Sequence, residues 1–131
     1  MPSPTIVLLV EDESMIRVST AQYFEDAGYT VFEAETAHEA ILIIEQNEAV
    51  SIVFTDVDLG DEVDGVALLH LIASRWPPIR LFATSGAVNV PLADLPAGAA
   101  FFPKPYNHAT VVESFEQAMI AANPPPKAER D

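Results

Sequence analysis

Short, continuously apolar runs recur along the chain: Thr5-Ile-Val-Leu-Leu-Val10, Ser51-Ile-Val-Phe-Thr55, Arg80-Leu-Phe-Ala83 and Ala100-Phe-Phe102, with a more alternating run from Tyr29 to Ala34. Runs of this length without polar interruption are what strands covered on both faces require. Between them the apolar spacing changes to three or four, the signature of a helix with one buried stripe. Ile16, Thr20, Tyr23 and Ala27 mark the first stripe, and Ala37, Ala40, Ile41 and Ile44 the second. Val66, Leu69 and Ile72 mark the third, while Val111, Phe115, Ala118 and Ala122 mark the last.

The punctuation agrees with these limits. Gly28 stands where a left-handed C-cap belongs, Thr36-Ala-His-Glu39 reads as a capping box, and Asp64 and Asn107 are candidate N-caps. Five strands alternating with helices predict an α/β fold, and right-handed crossovers make a doubly wound five-stranded parallel sheet the simplest closure. The fourth crossover is the exception. Asn89, Pro91, Pro96 and Gly98 interrupt it, so its helix is expected to be short or irregular.

A chain of 131 residues is one domain, and residues 1–123 are read as that domain. Residues 124–131, rich in proline and charge, read as a disordered tail. With no cysteine, thiolate metal sites and disulfides are excluded. No apolar stretch reaches membrane-spanning length and the N-terminus has no signal pattern, so the expected location is the cytoplasm and no membrane partner is expected. The formal charge of −14 opposes a phosphate backbone, so no nucleic-acid partner is expected either.

Twenty acids on a small surface are mostly solvated, so only their placement carries information. Glu11 and Asp12 follow the first apolar run and Asp56 ends the third. In a sheet of order 2-1-3-4-5 those strands flank the topological switch point. Two carboxylates about 5 Å apart repel by about 3 kcal/mol at an effective dielectric near 20. A hard divalent cation relieves that repulsion, and oxygen-only ligands favour Mg²⁺, with Mn²⁺ as the alternative, over zinc. Lys104, after the fifth run, is able to reach a carboxylate or phosphoryl group on the third strand. Pro105 holds Lys104 extended and admits a cis bond. Thr84-Ser85-Gly86 closes the fourth strand with a hydroxyl and an open backbone N–H.

Together the motifs Leu8-Leu-Val-Glu-Asp-Glu13, Val53-Phe-Thr-Asp56, Asp64-Gly65, Ala83-Thr-Ser-Gly86 and Phe102-Pro-Lys-Pro105 resemble the receiver domain of two-component response regulators, from Thr5 to Ala122. The resemblance implies a flavodoxin-like (βα)5 sheet and a stand-alone, single-domain regulator. It further implies that Asp56 accepts a phosphoryl group from a histidine kinase or phosphotransfer protein. Asp12 would bind Mg²⁺ directly, Glu11 through a water, and the Asp58 carbonyl would complete the ligands with Asp56. Lys104 would pair with the carboxylate and then the phosphoryl group, Ser85 would be the switch hydroxyl, and Phe101 the switch aromatic. Catalysis would extend only to self-phosphorylation and autodephosphorylation, with output through contact with a downstream protein. The output face is expected around Phe101, Tyr106 and the last helix.

Several features depart from that pattern. Asp58 stands where many receivers carry an uncharged residue, and the loop from Leu59 to Val63 is acidic; the added charge either draws Mg²⁺ or discourages phosphorylation. The register leaves both Thr84 and Ser85 as hydroxyl candidates, with Ser85 preferred because Gly86 follows it. Two other classes fit fewer features: a pseudo-receiver that only binds, and a small Mg²⁺-dependent phosphoryl-transfer enzyme, for which the chain offers no room for a substrate cap. His38, His70 and His108 lack metal spacing, and Trp76 reads as a packing cover after the third helix.

Overall fold

The computed structural model describes residues 4–59, 64–86 and 90–122. The expected tail, the acidic loop residues 60–63 and residues 87–89 of the fourth crossover lie outside them. Five strands, β1 (Ile6–Val10), β2 (Thr30–Ala34), β3 (Val50–Asp56), β4 (Arg80–Ser85) and β5 (Ala100–Pro103), form one sheet of order β2-β1-β3-β4-β5. All four pairings are parallel, as the uninterrupted apolar runs require. Among the described residues, no helix is long and apolar enough to cross a membrane.

Helices α1 (Ser14–Asp26) and α4 (His108–Ala122) cover one face, while α2 (Ala37–Gln46) and α3 (Gly65–Arg75) cover the other. Alternation along each strand divides the core accordingly. Val7, Leu9, Ile52, Phe54 and Phe82 pack against Phe24 and Phe115, whereas Leu8, Val10, Val53 and Ala83 pack against Ala40, Ile44, Leu68 and Ile72.

The helix ends follow their sequence signals with one change. Gly28, at φ 105°, closes α1: its N–H donates to the Glu25 carbonyl and that of Tyr29 to the Phe24 carbonyl, the paired bonds of a Schellman end. The Asp64 and Asn107 carboxyl and amide oxygens accept from the Ala67 and Thr110 N–H groups. The Thr36 hydroxyl accepts from the Glu39 N–H, but the Glu39 carboxylate accepts from Glu35 rather than from Thr36. The box therefore closes one residue outside the cap.

One expectation is corrected. The buried stripe of α1 is Thr20, Ala21 and Phe24, and Tyr23 and Ala27 are exposed. Phe24, with the largest apolar area available, decides the rotation by inserting between Phe54 and Phe115. In the fourth crossover the described residues hold only a 3₁₀ turn, Leu92–Asp94. Buried Leu95 anchors this segment to the core, and His70 Nε2 lies 2.7 Å from the Asp94 carbonyl oxygen, so α3 supports it from the side.

Candidate functional site

Parallel register brings the strand ends together: Val10 stands opposite Thr55, Asp56 opposite Thr84, and Ser85 opposite Pro103. Two backbone bonds extend the ladders past the strands, from the Glu11 N–H to the Ala34 carbonyl and from the Lys104 N–H to the Ser85 carbonyl. Glu11 and Lys104 thus stand as though one residue further along β1 and β5. Glu11 follows Leu9 by two, Asp56 follows Phe54 by two, and Lys104 follows Phe102 by two, so all three continue the side of the sheet that faces α1 and α4.

At this edge the Lys104 ammonium donates to Glu11 Oε1 at 2.9 Å and to Asp56 Oδ2 at 2.8 Å. Glu11 and Asp56 are both buried, at 2% and 4% exposure, so the pairing decides whether either is tolerated as an anion. The second oxygen of each is also held: Asp56 Oδ1 accepts from the Asp58 N–H at 2.8 Å and Glu11 Oε2 from the Glu13 N–H at 3.1 Å. Burial pushes the Glu11 carboxyl above its ordinary value, with Asp56 adding to the shift and Lys104 opposing it. For Lys104 burial acts downward, but the two carboxylates outweigh it and hold the ammonium above its usual range.

Asp12 is exposed at the mouth. One oxygen from each of Glu11, Asp12 and Asp56 lies within 4.8 Å of the others. An all-oxygen set containing a buried acid whose ionisation is resisted fits a hard divalent cation. Six of the candidate residues therefore meet at one edge: Glu11, Asp12, Asp56, Lys104, Ser85 and Asp58. The Ser85 hydroxyl donates to Asp58 Oδ2.

Thr84 and Phe101 do not join them. Thr84 lies beside Asp56, but its buried hydroxyl has no hydrogen-bond partner among the described residues. Ser85, one residue on, points to the opposite side and reaches the acidic edge. Phe101 is half-buried against the layer under α2 and α3, whereas Tyr106 packs edge-on to Phe54 in the layer under α1 and α4. The two stand on either side of β5, the edge strand of the sheet.

Three contributors escaped the sequence reading. Arg17 Nη1 donates to the Glu11 carbonyl at 2.9 Å while the same guanidinium pairs with Glu33 and Glu35, tying β1 to the end of β2. A rare cation one helical turn past an acidic strand end was its signal. Gly65, quoted only as part of a motif, donates its N–H to the Val57 carbonyl, and a Cβ there would stand 2.2 Å from the Asp56 carbonyl oxygen. The Thr20 hydroxyl lies 3.0 Å from Tyr106 Oη and 3.2 Å from His108 Nε2, joining α1 to the segment after Lys104. The Lys104–Pro105 bond is cis.

The response regulator receiver domain family matches residues 7–116. The chain is 39% identical over 105 residues to the sensor kinase CckA of Brucella abortus, covering 77% of this chain and 11% of that protein. It is 30% identical over 116 residues to a putative NtrX-like response regulator of Rickettsia felis, covering 86% of this chain and 24% of that protein. The chain thus spans about a tenth to a quarter of the length of these curated relatives. Among solved structures, a CheY-like response regulator receiver domain protein from Methanospirillum hungatei superposes with a TM-score of 0.82 at 28% identity, over 92% of this chain and 98% of that one.

Proposed function

The chain belongs to the response regulator receiver domain family, and from that premise we propose that Asp56 accepts a phosphoryl group from a histidine kinase or a phosphotransfer protein. The observation that carries this is the state of Asp56: a buried carboxylate with one oxygen fixed by a backbone N–H and the other by Lys104, beside two further acids. An anion used only for structure has no need of two neighbouring like charges.

In the transfer, a carboxylate oxygen of Asp56 attacks the phosphorus of a phosphohistidine. A P–O bond forms, the P–N bond breaks, and its electron pair returns to the imidazole nitrogen, which takes up a proton. The Asp58 N–H and Lys104 fix the attacking carboxylate, so little orientation is left to gain at reaction. Lys104 moves with the developing charge onto the phosphoryl oxygens, as a point charge on a flexible stem is able to. Glu11, Asp12 and Asp56 would hold Mg²⁺, which when bound neutralises charge on the transferring group. Hydrolysis of the resulting acyl phosphate by water resets the site. A concavity of about 350 Å³ beside Lys104, lined by Ile16, Thr20, Tyr106 and His108 and bordered by exposed Met15 and Val18, is apolar ground on which a phosphohistidine-bearing partner could rest.

Incubation with Mg²⁺ and acetyl phosphate tests the reading by intact mass. The wild-type chain gains one phosphoryl group, omission of Mg²⁺ or Asp12→Ala suppresses the gain, and Asp56→Asn gains none. Labelling of Asp56→Asn to the wild-type level sinks the assignment.

A further inference from the structure

Asp58 touches both working parts of the site at once. Its backbone N–H holds Asp56 Oδ1, and its carboxylate accepts the hydroxyl of Ser85, a residue 27 positions away on another strand. Ser85 is buried at 1% exposure, and Asp58 brings a full negative charge to it from the exposed rim. A hydroxyl bonded to a carboxylate forms a charge-assisted bond, roughly twice as strong as a neutral one.

We propose that Asp58 is a positioning residue: its carboxylate retains the Ser85 hydroxyl in the unphosphorylated chain, and a phosphoryl group on Asp56 must take that hydroxyl from it. The proposal rests on Asp56 being the phosphoacceptor. A phosphoryl group offers three acceptor oxygens and close to two negative charges, enough to compete with one carboxylate. The hydroxyl cannot serve both anions, so whatever Asp58 gains from Ser85 at rest is subtracted from the phosphorylated state. An uncharged, non-accepting side chain at position 58 gives no such retention. The acid therefore sets how much phosphoryl binding is needed before Ser85 moves, independently of any repulsion it exerts on an incoming donor.

Retention and simple repulsion separate in a double-mutant cycle on the full chain, using beryllofluoride at saturating Mg²⁺ as the phosphoryl probe and calorimetry as the readout. Asp58→Ala should tighten beryllofluoride binding by at least about five-fold when Ser85 is present, and the gain should largely vanish when Ser85→Ala is combined with it. An equal gain in both backgrounds means charge repulsion alone and overturns the proposal, as does no gain in either. A second cycle reads the resting contact without metal or probe: the melting-temperature losses of Asp58→Ala and Ser85→Ala must be non-additive. Additive losses overturn the retention whatever beryllofluoride does. Failure of the wild-type chain to bind the probe, with non-additive losses, instead overturns the phosphoacceptor reading and the competition built on it.

Discussion

The two sides of the sheet are built from different material. Under α1 and α4 the core is aromatic: Phe24, Phe54, Phe82 and Phe115 meet mostly edge-to-face at centroid distances of 4.8 to 6.0 Å, and Phe102 and Tyr106 extend the network. Under α2 and α3 the buried residues are leucine, valine, isoleucine and alanine, closed on one flank by a 3₁₀ turn. Strand alternation assigns the chemistry unequally between them. Glu11, Asp56 and Lys104 continue the aromatic side, while Ser85 and Phe101 continue the aliphatic one. The proposed acceptor and its neighbouring acids stand on interlocked rings, and the two residues proposed as the switch stand over smaller side chains.

Removing a ring from the aromatic side should be the most damaging change. Phe115 is fully buried and touches four other aromatic rings, so Phe115→Ala should cost about 4 kcal/mol in urea unfolding. A loss below that of Phe101→Ala would dissolve the contrast.

Next is the charge cluster that rests on this layer. Lys104→Met leaves two buried carboxylates without a cation and should cost about 3 kcal/mol at neutral pH. The loss should shrink on acidification. Glu11 has a folded-state value above its ordinary 4.5, so the folded chain binds the proton more tightly, and stability falls as pH rises from 4.5 through the raised value. A pH-independent loss would mean that Lys104 acts through packing alone.

On the aliphatic side effects should be smaller and functional. Phe101 is half-buried, and Phe101→Ala should cost about 1.5 kcal/mol while reducing the difference in partner affinity between the phosphorylated and unphosphorylated chains. An unchanged difference in pull-down affinity would remove Phe101 from the switch. Smallest is His70→Ala, which should cost about 0.5 to 1 kcal/mol and speed amide exchange near Asp94, where α3 supports the crossover. Unchanged exchange there would show that Leu95 anchors the segment alone.

The sheet and the acidic edge were legible because each rests on one-dimensional information. Uninterrupted apolar runs give parallel strands, and residues immediately after such runs meet at one edge. Between Thr84 and Ser85 the sequence offered only a preference, from the Gly86 that follows Ser85. What stayed hidden depends on rotation and on loop path. The stripe of α1 turned on the size of Phe24 rather than on the spacing of Ile16, Tyr23 and Ala27. Phe101 and Tyr106 pack in opposite layers, one within β5 and the other past its end at Pro103. The Asp58–Ser85 bond joins residues whose proximity only the β3–β4 register creates. Asp58 was visible in the sequence as an anomaly, and its partner was not.

Gly65 gives the site's freedom a direction. With the Asp56 carbonyl oxygen and the Val57 Cα within 2.4 Å of where a methyl group would stand, the start of α3 seats directly against the end of β3. There is no slack along that line, so a shift at the tip of β3 is carried into α3 as rigidly as along a strut. On the β4 and β5 flank the described residues hold only the turn Leu92–Asp94. A phosphoryl group on Asp56, as proposed above, would then act as a force applied at a pivot, with α3 the arm coupled rigidly to it.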